Sequence, residues 1–121
     1  MDLKDFSDIQ YINLITYRRD NTPVSTAVWV VGIGDALYVT TGLSSGKVKR
    51  IRNNNKATIH ETNQSGLKKL SKNLDLFATV VEDEIVKKDG IKAITKKYGL
   101  MAKMMMRGSD DNRAIVKLTS L

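Results

Sequence analysis

β-branched, aromatic and alternating apolar residues mark six segments of this chain as β-strands. They are Tyr11–Arg18, Val24–Val31, Leu37–Thr41, Ala57–Thr62, Leu74–Val81 and Arg113–Thr119. The turn-forming pairs Asp20-Asn21 and Gly34-Asp35 separate the first three segments. Because short turns join neighbouring antiparallel strands, we predict that these three strands form an antiparallel meander.

Two further segments have the spacing of helices. After the third strand, Val48 and Ile51 share one face of a short helix whose other face is basic. A longer helix is predicted from Asp89, a reasonable N-cap, to about Met106. No linker, repeat or low-complexity tract divides residues 1–121, so we predict a single domain. Strands interrupted by two helices indicate an antiparallel barrel of the mainly β, α+β class.

Composition and charge narrow the class of protein. Hydrophobic residues make up 41% of the chain and charged residues 27%, which is the balance of a globular protein. No apolar run approaches the roughly 20 residues that a membrane-spanning helix needs, and the first residues do not resemble a signal sequence. We therefore expect a cytoplasmic protein without a membrane partner. The net charge of +7 favours an anionic partner, which is nucleic acid, a phosphorylated cofactor or an acidic surface.

Cysteine and histidine usage excludes several chemistries. The chain has no cysteine and a single histidine, His60. Disulfides and thiolate nucleophiles are therefore excluded, and we expect neither a metal site nor classical hydrolase chemistry. We interpret His60 as a polar residue at a strand end or an interface rather than as a proton donor.

The segment from Thr40 to Lys47 joins the third strand to the basic helix and has the features of a phosphate cradle. With Ser45 as the N-cap, Lys47 lies in the first helical turn, where the helix dipole disfavours a cation. A bound anion reverses this penalty, because phosphate oxygens accept hydrogen bonds from the backbone amides and from the lysine. The alternative is a solvated basic helix without a ligand. A nucleotide P-loop is excluded, since only three residues separate Gly42 from Gly46.

Three stretches carry a resemblance to a known family. They are Tyr17–Trp29, Leu37–Gly42 and Ser45–Asn54. Through them, and from Tyr11 to the C-terminus, the chain resembles the pyridoxamine 5′-phosphate oxidase-like superfamily of flavin- and deazaflavin-binding proteins. It looks most like the branch that depends on the deazaflavin coenzyme F-420. The resemblance implies a six-stranded antiparallel split β-barrel with two or three helices, and a homodimer that holds F-420 or FMN between its subunits.

The resemblance also implies which residues hold the cofactor. The ring-facing strand and the phosphate-holding turn map onto Ser25, Thr26, Ala27, Val28, Trp29, Thr40, Thr41, Ser45, Gly46 and Lys47. Two positions depart from the family pattern. Oxidase members often carry Arg-Lys where this chain has Gly46-Lys47, and a basic residue where it has Thr26. These departures argue against pyridoxamine phosphate as the substrate.

The function implied by the resemblance is that of an oxidoreductase. Bound F-420 or FMN would carry a hydride to or from a small organic substrate. No residue stands out as an obligatory acid or base, which hydride transfer tolerates. The alternative is a binding protein on the same scaffold that carries a flavin, F-420 or a tetrapyrrole without turnover. Nucleic-acid binding is disfavoured, because no aromatic residue interleaves with the basic positions of the helix.

Overall fold

The computed structural model describes residues 2–105 and 112–121, which form a seven-stranded sheet, three α-helices and a short 3-10 helix at Leu3–Phe6. The strands are β1 (Tyr11–Tyr17), β2 (Pro23–Val28), β3 (Val30–Ile33), β4 (Ala36–Gly42), β5 (Lys56–Thr62), β6 (Leu74–Val80) and β7 (Arg113–Ser120). The α-helices are α1 (Gly46–Asn53), α2 (Glu84–Tyr98) and α3 (Leu100–Met105). The predicted mainly β, α+β class is confirmed. None of the described helices has the length and apolar character that crossing a membrane requires.

The strand order in the sheet is β2-β1-β5-β6-β7-β4-β3, and all neighbouring strands are antiparallel. The sheet has seven strands and is not closed, so the prediction of a six-stranded barrel is wrong. The predicted second strand divides at Trp29 into β2, which pairs with β1, and β3, which pairs with β4. Both pairings of the predicted meander exist, but they use different halves of that strand. The two edge strands of the sheet are therefore consecutive in the chain.

Side chains of α2 explain why the strand divides at Trp29. The backbone N–H of Val30 donates to the hydroxyl of Tyr98 at 2.9 Å, and the Val30 carbonyl accepts from the Lys97 ammonium at 2.6 Å. The backbone groups of Val30 are thus satisfied by a helix rather than by a neighbouring strand. Because these partners lie far away in the sequence, the local strand pattern does not reveal the break.

Apolar side chains on the two faces of the sheet form two buried clusters. On β4, Leu37 and Val39 pack into the larger cluster, whereas Tyr38 lies in the smaller cluster with Ile94 and Ile115. The larger cluster also contains Phe6, Ile12, Leu14, Ile51, Ile59, Leu76, Val116 and Leu118. The helix α2 packs against β3, β4 and β7, and β4 is therefore buried on both faces.

The start of α2 differs from the prediction. The carboxylate of Asp83 accepts the backbone N–H groups of Ile85 at 2.8 Å and Val86 at 3.1 Å, so Asp83 is the N-cap. The prediction of a cap at Asp89 is wrong, since Asp89 lies inside the helix. The prediction failed because the acidic residues from position 82 follow directly on a strand and were assigned to its end. They supply the N-cap of α2 instead. The predicted helix end near Met106 lies outside the described residues.

Candidate functional site

A cavity of about 440 Å³ lies where β4, α1 and β7 approach the break between β2 and β3. Six of the residues proposed from the sequence line it: Ala27, Val28, Trp29, Thr40, Thr41 and Lys47. Five other lining residues were not among those proposed: Tyr11, Gly42, Gln64, Met101 and Arg113. The structure therefore brings the predicted ring-facing strand and the predicted phosphate turn together at one cavity.

Four proposed residues do not line the cavity. They are Ser25, Thr26, Ser45 and Gly46. Ser25 and Thr26 lie earlier in β2, farther along the chain from the strand break at Trp29 whose neighbours Ala27 and Val28 do line the cavity. Among the missed residues, Arg113 lies directly opposite Gly42 in the β4–β7 ladder. That pairing joins distant parts of the chain, and no local signal in the sequence predicts it.

One wall of the cavity is aromatic. The ring of Trp29 is stacked on that of Tyr98, with centroids 4.4 Å apart and an angle of 8° between the planes. The Tyr98 hydroxyl accepts from the backbone N–H of Val30 and donates to the carbonyl of Gln10 at 2.7 Å. Burial raises the pKa of Tyr98 to about 12. The indole is therefore held from behind by a tyrosine that is itself fixed by hydrogen bonds.

The cavity lining also carries two cations. Lys47 in the first turn of α1 and Arg113 at the start of β7 both line it and are both half-buried. Burial, followed by the positive charges of Arg50 and Arg113, lowers the pKa of Lys47. Burial also lowers the pKa of Arg113. The described lining contains no carboxylate to balance these charges, so the cavity favours an anion.

The start of α1 leaves its first backbone amides without a side-chain cap. Ser45 is the N-cap as predicted, but its Oγ accepts from Thr41 Oγ1 at 3.3 Å and caps no backbone N–H. At Gly46, a Cβ atom would lie 2.7 Å from Nη1 of Arg50, whose Nε donates to Thr16 Oγ1 at 2.7 Å. The guanidinium of Arg50 thus takes the space in which a side chain at position 46 would begin. Burial, and then the charge of Arg18, lowers the pKa of Arg50.

A buried polar network fixes the loop that brings Gln64 to the cavity. The Nδ2 of Asn13 donates to Gly66 O and to His60 Nε2, each at 2.9 Å. Since His60 Nε2 accepts, its Nδ1 carries the proton and donates to Asn73 Oδ1 at 3.1 Å. Both ring nitrogens of His60 are therefore used in structural bonds, inside β5 and away from the cavity lining.

The ionisable side chains of the described lining are those of Tyr11, Lys47 and Arg113, and it contains no Asp, Glu or His side chain. Across residues 2–105 and 112–121, no group of three or more metal-ligating side chains is placed to hold a metal ion. A lining that combines aromatic and cationic side chains fits a planar molecule that carries an anionic group.

Comparison with known proteins finds no matching family model and no matching curated sequence. Solved structures do match. A candidate pyridoxamine 5′-phosphate oxidase from Listeria innocua superimposes with a TM-score of 0.70 and 18% identity, covering 97% of this chain and 88% of that one. The heme storage protein HutZ from Vibrio cholerae gives a TM-score of 0.74 and 15% identity, with coverages of 100% and 92%. An F-420 reductase gives a TM-score of 0.66 and 16% identity, with coverages of 100% and 94%.

These comparisons establish the fold. The chain has the fold of the pyridoxamine 5′-phosphate oxidase-like split-barrel proteins, as the resemblance in its sequence indicated. The neighbours named above differ in function, because one is an F-420 reductase and another stores heme. At sequence identities of 15–18%, structural similarity shows that the fold is shared. The ligand must then be inferred from the residues of the site.

Proposed function

We propose that this protein is an oxidoreductase that binds the deazaflavin F-420 or FMN in the cavity and uses it to exchange a hydride with a small organic substrate. The observation that carries the proposal is the joining of an aromatic wall and two cationic side chains in one cavity of about 440 Å³. A flavin-type cofactor has the matching chemistry, since it joins a planar ring system to a phosphate. The fold of an F-420 reductase supports the same assignment.

The residues present fit such a cofactor. Arg113 Nε is buried and, within the described residues, has no hydrogen-bond partner. With Lys47 it leaves two positive charges without a carboxylate in the described lining, an arrangement that a phosphate would relieve. Lys47 and the amides at the start of α1 would hold the phosphate. Ala27, Val28 and Trp29 would face the ring system.

The bound cofactor would supply the redox chemistry, because its ring accepts and releases a hydride. The work of the protein is to bind, orient and exclude water. Trp29, backed by Tyr98, gives a flat apolar surface that fixes the plane of the ring. Lys47 would hold the anionic group. Hydride transfer itself does not require a proton transfer by a side chain of the protein.

A second candidate function is binding without turnover. The fold of HutZ, a heme storage protein, favours it. On this alternative the same cavity carries a flavin, F-420 or a tetrapyrrole. Reduction of the bound cofactor by an external donor, followed by loss of the hydride to an organic acceptor, would distinguish the enzyme from the carrier.

The proposal includes a homodimer with the cofactor at the subunit interface. Met101 lines the cavity and is 48% exposed, and Met104 on the same helix is 60% exposed. Leu67 and Leu70, in the loop that also carries Gln64, are exposed as well. A second copy that covers these apolar side chains would also close the cavity. Sedimentation analysis tests this part, and a monomer that binds the cofactor at full affinity would contradict it.

The test of the main proposal is a titration of the purified protein with FMN and with F-420. Trp29 is the single tryptophan of the chain and lines the cavity, so its fluorescence should fall as a ring system stacks near it. Saturable quenching by one cofactor, with a matching change in the absorption spectrum of that cofactor, is expected. Failure of both cofactors to bind would exclude the proposed function.

A further inference from the structure

Among the described residues, Arg113 is a cation with a buried hydrogen-bond donor that has no partner. A guanidinium carries five N–H donors in a fixed plane. Within the described part of the chain, Nη2 of Arg113 donates to Thr40 Oγ1 at 3.2 Å, whereas Nε is buried without a partner. Keeping a half-buried positive charge in this state is unfavourable unless an anion compensates it.

The hydroxyl of Thr40 is occupied by protein groups. It accepts from Arg113 Nη2 and donates its single hydrogen to the carbonyl of Ala114 at 3.4 Å. With that hydrogen committed, Thr40 has no donor left for a phosphate oxygen. It instead links the guanidinium to the backbone of β7 and so fixes its orientation.

Nothing in the β4–β7 ladder stands between Arg113 and the cavity. Its partner across the ladder is Gly42, which has no side chain and also lines the cavity. A Cβ atom at Gly42 would meet no atom of the described residues within 4 Å, so the space at this position of the lining is open. Lys47 faces the same space and is close enough for the charge of Arg113 to act on it.

We infer that Arg113 binds the anionic group of the ligand directly, as a second cation beside Lys47, and that Thr40 is a positioning residue that acts through Arg113. The inference rests on the proposed function, in which that group is the phosphate of a flavin-type cofactor. The shared chemistry is that of an organic phosphate, either a monoester as in FMN or a diester as in F-420.

The first experiment compares ligands with and without the phosphate. Quenching of Trp29 is measured with FMN against riboflavin, and with F-420 against its deazariboflavin core, which lacks the phosphodiester and the acidic tail attached to it. Arg113→Gln should weaken binding of the phosphorylated member about 10- to 100-fold and leave the other unchanged, because only the charged hydrogen bonds are lost. Arg113→Lys should restore part of the loss, since it keeps the charge but not the planar fork.

The matched control is Lys117→Gln, which removes a cation from the same strand outside the cavity lining. It should change each affinity less than about twofold, the size expected for a screened charge. Equal loss of both members of a pair in Arg113→Gln, or an equal effect of Lys117→Gln, would overturn the assignment. If Arg113→Gln weakens FMN binding, the ligand is the phosphate monoester. If it weakens F-420 binding, the ligand is the diester.

A double-mutant cycle tests the positioning role of Thr40. Thr40→Val keeps the shape of the side chain and removes its oxygen, so the phosphorylated ligand should bind more weakly. In the Arg113→Gln background, Thr40→Val should have little further effect, because the guanidinium that Thr40 positions is already absent. Additive losses would show that Thr40 contacts the ligand by itself and would reject the positioning role.

A third measurement separates this inference from the proposed function. If the unmodified protein binds none of the four ring compounds, the proposed function fails. Titration with inorganic phosphate, followed by ³¹P NMR, then tests Arg113 alone. Binding by the unmodified protein that is lost in Arg113→Gln would support the anion assignment, whereas equal binding or no binding by both proteins would overturn it.

Discussion

The rings of Trp29 and Tyr98 lie nearly parallel, 4.4 Å apart, with the tyrosine on the helix side and the tryptophan at the cavity. The contact joins the break between β2 and β3 to the last turn of α2. A ligand ring that packs against Trp29 therefore packs against a surface supported from the second cluster of the core. The position of this wall depends on α2 as much as on the sheet.

Tyr98→Phe should destabilise the protein while preserving the stack. The hydroxyl serves the backbone of Val30 and Gln10, so its loss leaves a buried N–H and a carbonyl without that partner. The expected cost is about 1–3 kcal/mol in the free energy of unfolding. Urea denaturation followed by circular dichroism measures it. Tyr38→Phe, in the same cluster, is the matched control and should cost less; equal costs would contradict a special role for the Tyr98 hydroxyl.

The raised pKa of Tyr98 predicts a loss of stability at high pH. Burial raises this pKa from 10.0 to about 12, so the folded protein keeps the phenol proton over a range in which the unfolded chain releases it. The stabilisation is complete below pH 10 and is lost as the pH rises from 10 to about 12. The difference in unfolding free energy between the unmodified protein and Tyr98→Phe should shrink over this interval. Two parallel curves would contradict the prediction.

Lys47→Ala should weaken binding of the proposed cofactor by about 1.5–3 kcal/mol, the range for hydrogen bonds to charged groups. The lysine lines the cavity and its positive charge is partly desolvated. Lys49→Ala provides the control, because Lys49 lies on the same helix but is exposed. Fluorescence titration gives both affinities. An unchanged affinity in Lys47→Ala would remove the lysine from the proposed phosphate site.

Asn13→Leu should release the loop between β5 and β6. The amide of Asn13 is the donor that joins Gly66 and His60, and leucine has similar size without a donor. We expect a loss of about 1–3 kcal/mol in stability, because buried acceptors lose their partner. Faster tryptic cleavage at Lys68 or Lys69 would report the released loop. The exposed Asn53→Ala should leave both properties unchanged, and a similar effect there would reject the network as the cause.

Asp83→Ala should lower stability by about 1 kcal/mol, the usual cost of removing an N-cap. The carboxylate of Asp83 holds two backbone N–H groups at the start of α2. Asp89→Ala is the matched control: it removes the same charge from an exposed position inside the helix. Thermal denaturation compares the two variants. A larger loss for Asp89→Ala would place the functional start of the helix where the sequence alone had suggested it.

Local patterns in the sequence predict most elements of the fold, but not that the sheet has seven strands and stays open. The strand ending at Tyr17 and the basic helix carrying Lys47 follow from residues near one another in the chain. The division at Trp29 does not, because the groups that stabilise it belong to Lys97 and Tyr98. A continuous apolar run gives no sign that its backbone bonds will go to a helix.

The same distinction holds for the candidate site. Lys47 is predicted from its place at the start of a basic helix and Trp29 through the family resemblance, and both line the cavity. Arg113 was assigned only to a strand, since its place opposite Gly42 depends on the β4–β7 register. Ser45 was predicted as the cap of α1 and is one, yet its hydroxyl is used by Thr41 instead. Sequence reasoning thus found residues within local motifs and missed those that tertiary pairing brings in.

The three carbonyls held by Lys97 have a consequence for the order of events during synthesis. Its ammonium binds the carbonyls of Ser7, Ile9 and Val30, which precede it by 90, 88 and 67 residues. A nascent chain that ends before α2 therefore lacks the groups that tie its N-terminal segment to the strand break. Such long-range contacts form late, because a large loop must close first. We expect the aromatic wall, and with it any ligand, to be acquired only once α2 has left the ribosome.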